Sequence, residues 1–180
     1  GLTYEPGTGF AERAHEAVDE DAALDLYRCT HGRLVEAGYD HYEISNFARQ
    51  GYQCRHNLVY WHNEEYLGFG PGAYSYVDGV RARTTPRLAD YLATPGLRVE
   101  AYRLSGREIR QETAIQHFRL ASGLPVAAYR ARFGCDVEDD FGPALTTLVA
   151  RGLLDRSGHA YTPTERGFEL NNEIGLTLVD

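Results

Sequence analysis

The chain has no methionine and no lysine. Without methionine, Gly1 does not read as a translation start, and the chain is expected to be a fragment of a longer protein. Without lysine, all eighteen basic residues are arginine. That excludes P-loop nucleotide chemistry, Schiff-base catalysis and a kinase-type active site, each of which depends on one placed ammonium group. Cysteine is scarce: Cys29, Cys54 and Cys135 form no C-x-x-C pair and leave an odd number, which speaks against a disulfide framework or a structural zinc site and suits a reducing compartment. No apolar run reaches the roughly 18 residues needed to span a bilayer. The opening GLTYEPGTGF lacks the basic and apolar regions of a secretory signal. The expectation is a cytoplasmic protein that is not integral to a membrane.

What is present fits a globular α/β chain. With 180 residues, 43% of them hydrophobic, and a net charge of -8, a packed core is attainable. Leu2 to Tyr4 reads as a short strand entering a Glu5-Pro6-Gly7-Thr8 turn. Asp19 then reads as the N-cap of a helix carrying Ala23, Leu26, Tyr27, Leu34 and Val35 at helical spacing and stopping at Gly38. Tyr39, Tyr42, Ile44 and Phe47 give a strand-like run, and the order strand, helix, strand predicts parallel α/β units. A second strand-like run covers Tyr66 to Val77, interrupted by Gly68, Gly70 and Gly72, and a helix is predicted from Pro86 to Leu92.

Beyond Pro95-Gly96 the pattern becomes mostly helical. Helices are predicted over 107–121, 126–133 and 141–151, followed by two short strands within 152–162 and a helix from Thr164 to Leu178. Three helices, a small hairpin and a closing helix resemble a winged helix, with a domain boundary near residue 100. A winged helix invites a nucleic-acid reading, but from Gly134 onward nine acids face three arginines, the wrong sign for phosphate. No nucleic-acid partner is expected, and a helical packing or docking domain is preferred.

Two segments carry chemistry. In Cys54-Arg55-His56-Asn57-Leu58-Val59-Tyr60-Trp61 a helical turn sets His56 under Tyr60 and Asn57 under Trp61, because residues four apart share a face. An imidazole beside a phenol and an indole suits a flat aromatic ligand such as heme, for whose iron imidazole is the common protein ligand. The alternative is that Leu58, Tyr60 and Trp61 simply pack in the core, with His56 hydrogen-bonded; Cys54 is a second candidate iron ligand or a small hydrophobe. The other segment is Gly68 to Ser75. Glycines there let a backbone approach a cofactor, or mark a bulged strand end. Its spacing is not that of a dinucleotide loop.

Taken in order, Tyr42 to Ala48 (YEISNFA), Cys54 to Trp61 (CRHNLVYW) and Tyr66 to Ser75 (YLGFGPGAYS) resemble consecutive motifs of the HemW-type heme chaperones, a radical-SAM family related to the oxygen-independent coproporphyrinogen III oxidases. The opening Leu2 to Thr8, Glu112 to Arg119, and the tail from Gly152-Leu153-Leu154 to Asn172-Glu173-Ile174 fit it too. The resemblance implies the C-terminal part of a partial (β/α) barrel over 1–99 and a winged-helix-like domain over 100–180. It implies that His56 binds heme through its iron. It places Gly70, Pro71, Gly72, Ala73 and Tyr74 on a loop facing S-adenosylmethionine and substrate. Tyr74 stands where a His is often found and Thr84 where many members have Asn, which leaves a side-chain contact by Thr84 unsupported. The family's C-x-x-x-C-x-x-C ligands to a [4Fe-4S] cluster do not occur here, so the cluster and S-adenosylmethionine are expected only of a full-length protein, and no catalytic residue is assigned. The implied function is heme delivery to membrane-associated respiratory hemoproteins, with heme or porphyrin as ligand. The alternatives are a coproporphyrinogen III oxidase and a non-catalytic acidic docking module.

Overall fold

The computed structural model of the chain describes Tyr4 and residues 6–179. They belong to two compact units, divided between Gln53 and Cys54. Among the described residues no helix is long and apolar enough to cross a membrane.

In the first unit a 3-10 turn at Ala11–Glu16 leads to helix α1, Glu20–Glu36. Asp19 caps α1 by accepting from the Ala22 amide at 2.8 Å, and Glu20 and Asp21 oppose the positive end of the helix dipole. The helix closes with a Schellman pair, Tyr39 N–H to the Leu34 carbonyl and Gly38 N–H to the Val35 carbonyl. Strands β1, Asp40–Glu43, and β2, Asn46–Ala48, follow. They pair antiparallel, Asp40 opposite Ala48, across a turn at Ile44-Ser45. The strand-like run read from Tyr39 to Phe47 is thus a hairpin, since a two-residue link joins antiparallel neighbours, and among the described residues no strands pair in parallel. Leu2 and Thr3 of the first predicted strand lie outside the described residues, and Tyr4 is not in a strand.

The second unit begins with helix α2, Arg55–Trp61, and a sheet of β3, Tyr74–Val77, β4, Val80–Thr84, and β5, Arg98–Arg103, with α3, Leu88–Ala93, between β4 and β5. The sheet is antiparallel in the order β3-β4-β5. Its first hairpin turns on Asp78 (φ 51°) and Gly79 (φ 71°), the left-handed pair of a two-residue hairpin.

The rest is helix α4, Gly106–His117, a short strand β6, Leu124–Pro125, helices α5, Val126–Phe133, and α6, Val137–Ala150, strands β7, Leu154–Arg156, and β8, Ala160–Pro163, and helices α7, Glu165–Glu169, and α8, Asn171–Val179. Strand order β6-β8-β7 behind three helices is the winged-helix arrangement. Ser105 and Glu108 cap α4 reciprocally, and Asp136 with Asp139 does the same for α6, starting it four residues before the predicted Phe141. Pro143 kinks α6 at Phe141, where φ is -133°. The predicted closing helix breaks at Leu170, where the Asn171 side chain donates to the Phe118 carbonyl at 2.7 Å. Phe118, Leu124, Leu145, Leu148, Leu153 and Ile174 form the centre of the core here, each at most 1% exposed. At about 1.5–3 kcal/mol per buried side chain, this cluster is the main stabiliser of the second unit. The whole is an α/β fold with partial, unclosed sheets and a helical region.

Candidate functional site

Helix α2 carries the His-Asn-x-x-Tyr-Trp sequence, and its 3.6-residue period brings His56 and Tyr60 together. The Tyr60 hydroxyl and His56 Nε2 are 3.1 Å apart, and the two rings meet edge to face at 5.0 Å. His56 is exposed and Tyr60 half-buried. A second edge-to-face contact, at 4.6 Å, runs from Tyr60 to Tyr66. Tyr66 forms a backbone bridge with Tyr76, N–H to carbonyl in both directions at 2.8 and 2.9 Å. Burial raises the Tyr66 phenol above its ordinary value, while the nearby Arg81 guanidinium pulls the other way.

The C-terminal end of α2 is locked to α4. The Arg119 guanidinium lies over Trp61, 4.4 Å from its ring centroid. Buried Asn63, at φ 49°, gives its side-chain N–H to Thr113 Oγ1 at 3.1 Å. Arg132 of α5 donates to the carbonyls of His62 and Asn63 at 2.8 and 2.7 Å. The amphipathic use of α2 is therefore divided: the Trp61 end packs on α4 and the His56 end stays open.

The Gly68 to Ser75 segment folds into a braced loop entering β3. A Cβ on Gly68 would meet the Tyr74 carbonyl oxygen at 2.0 Å, so the close backbone approach there admits only glycine. The loop's amides are satisfied within the protein: Gly70 N–H by the Tyr91 hydroxyl at 3.2 Å, Gly72 N–H by the Thr85 carbonyl at 2.8 Å, and Ala73 N–H by Thr84 Oγ1 at 3.0 Å. The Thr84 hydroxyl in turn donates to the Gly70 carbonyl at 2.6 Å. Thr84 is thus the brace of this loop, a side-chain contact that the sequence had left unsupported. Ser75, part of the segment read from the sequence, accepts from Gly68 N–H at 3.0 Å, and Tyr91 was not anticipated as a partner of this loop. Nothing local in the sequence pairs Tyr91 with Gly70, twenty-one positions away.

His56 and the loop are linked through Tyr60, Tyr66 and the Tyr66–Tyr76 bridge, Tyr76 being two residues beyond Tyr74. Cys29 is exposed on α1, Cys54 is exposed at the start of α2 and Cys135 lies between α5 and α6. Among the described residues no three His, Cys, Asp or Glu side chains are grouped to hold a metal ion, so the chain's own donors do not fit an iron–sulfur cluster.

Compared with solved structures, the architecture matches the Escherichia coli coproporphyrinogen III oxidase HemN, a radical-SAM enzyme, with TM-score 0.75 and 17% identity, over 98% of this chain and 46% of that one. The fold is that of the C-terminal region of a HemN-like radical-SAM protein. Residues 104–170 match the HemN C-terminal domain. The heme chaperone HemW of Lactococcus lactis is 33% identical over 96% of this chain and 47% of its own length, and that of E. coli is 35% identical over 99% and 48%. The chain belongs, as its C-terminal region, to the HemW/HemN family of radical-SAM, coproporphyrinogen-oxidase-like proteins. It spans about half the length of the relatives it matches.

Proposed function

We propose that the chain supplies the heme-binding helix and the cofactor-side loop of a cytoplasmic heme chaperone, one that passes heme to membrane-associated respiratory hemoproteins. The observation that carries this reading is His56, exposed on α2 with one ring nitrogen engaged by Tyr60. In the tautomer whose Nε2–H donates to the Tyr60 oxygen, Nδ1 carries the lone pair that iron would take. Metal-binding histidines are commonly oriented by a partner on the second nitrogen, and Tyr60 fills that place. When bound, heme iron offers a Lewis-acidic centre to an axial imidazole. His56 would hold it, Tyr60 would fix the ring, and Tyr66, packed against Tyr60, would limit the swing of the phenol.

In this reading residues 1–99 are the last units of a partial barrel and residues 100–180 the helical domain. The loop of Gly70, Pro71, Gly72, Ala73 and Tyr74 faces S-adenosylmethionine in the full-length protein. Its amides are engaged internally, so a ligand there is met by side chains instead. The iron–sulfur cluster is left to residues outside this chain, and no step is derived through it. The fold is common to chaperone and oxidase, so the His56–Tyr60 pair, rather than the architecture, favours the chaperone. Heme titration of the 180-residue chain and of its His56→Ala variant tests the reading: the account expects a Soret shift with the first and its loss with the second.

A further inference from the structure

We infer that Arg83 binds a ligand carboxylate beside the glycine loop, an inference that rests on the loop reading above and assigns the chemistry its ligand must carry. One face of the β3-β4-β5 sheet holds two Arg–Tyr pairs two register positions apart, Arg81 opposite Tyr76 and Arg83 opposite Tyr74. Their guanidinium carbons lie 5.4 and 5.2 Å from the ring centroids. The pairs differ in what neutralises them. Arg81 gives both terminal nitrogens to Glu112, each at 2.8 Å, a complete bidentate fork.

Arg83 has no such partner. Its Nε is shielded from solvent and makes no hydrogen bond among the described residues, although a buried guanidinium donor is costly to leave empty. The cross-strand position on β5 is Glu100, which is exposed and forms no ion pair with Arg83 among the described residues. Arg83 Nη2 lies 3.9 Å from where a Cβ on Gly72 would sit. Nε and Nη2 form one edge of the fork, the edge that Arg130 presents to Asp136 elsewhere in this chain. Only the Nη2 end of that edge reaches the Gly72 position, which has no side chain and also lies near Pro86, and the guanidinium sits over the Tyr74 ring, which limits its rotation. An edge of two parallel N–H donors matches a carboxylate, and lysine would not reproduce it. Porphyrin propionates and the amino-acid end of S-adenosylmethionine are the two sources of such a group under the loop reading.

The test measures dissociation constants of the chain for heme and heme dimethyl ester, and for S-adenosylmethionine and its decarboxylated form. Each pair differs only in the carboxylates, and the ester keeps the iron for His56. Wild type should prefer the carboxylate member of one pair, which names the source. Arg83→Gln should weaken that member about tenfold, the equivalent of about 1.4 kcal/mol, and leave its carboxylate-free counterpart unchanged. Arg83→Lys, which keeps the charge without the fork, should fall between. Wild-type binding without carboxylate preference, or a preference that survives both substitutions, overturns the role of Arg83 and leaves the loop reading standing. Failure of wild type to bind any of the four overturns both.

Discussion

Lowering the pH should weaken the junction between α2 and α4, and His117 sets the range in which this happens. His117 ends α4, with Nδ1 2.8 Å from the Thr113 carbonyl and its ring 5.4 Å from that of His62, the residue that ends α2. Burial pushes its pKa from the ordinary 6.5 down to about 4; the Thr113 carbonyl opposes this in part, and positive charge on His62 or Arg132 adds to it. The folded protein therefore holds this imidazole neutral where an unfolded chain already takes a proton. Above pH 6.5 both states are neutral and His117 contributes no pH dependence. Between 6.5 and about 4 the unfolded chain binds more protons, so stability falls as the pH falls, and below about 4 the effect is complete. At about 1.4 kcal/mol per pH unit, that window carries roughly 3 kcal/mol. Urea unfolding of wild type and His117→Asn from pH 7.5 to about 3.5 measures it, since Asn retains a donor for the Thr113 carbonyl but does not titrate. The stability difference between the two proteins should move by roughly 3 kcal/mol in favour of the variant as the pH drops. A difference that stays constant within about 0.5 kcal/mol would refute the argument.

Thr84→Val removes the hydroxyl that joins the Gly70 carbonyl to the Ala73 amide while keeping the branched shape, and should cost about 1–3 kcal/mol in thermal or urea unfolding, with Thr84→Ser restoring most of it. A variant as stable as wild type would mean the brace is not used in solution. Tyr60→Phe deletes the hydroxyl beside His56 Nε2 with little loss of ring packing; heme affinity, read by absorbance titration, should fall about tenfold or more while unfolding stability changes little. Unchanged affinity would separate Tyr60 from the orientation of His56.

Elements whose signals are local were legible in the sequence. Asp19 followed by two acids and a helical stripe gave α1 its start, and the His56–Tyr60 pairing followed from the helical period. The β7–β8 hairpin and the helices before it gave the winged-helix order. The run read over Tyr66 to Val77 ends where β3 does, but the Asp78-Gly79 turn signal was not used, so β4 was not anticipated, and the strand was begun too early, across three glycines. Strand β5 offered little to read: it is exposed along its whole length, so it shows no alternation of buried and exposed positions. The earlier start of α6 depended on acids serving as caps, which in the sequence look like surface charge. At the candidate site, long-range partners were beyond local reasoning. Arg119 over Trp61, Arg132 on the α2 carbonyls and Thr84 across the loop are set by the packing of separate elements.

The claim that matters most is that His56 offers an imidazole to heme iron, and a heme titration followed at the Soret band tests it directly. The 180-residue chain should shift the band and saturate, and His56→Ala, an exposed substitution expected to leave folding intact, should lose the shift and at least about tenfold in affinity. An unchanged band position and affinity in His56→Ala would contradict the account.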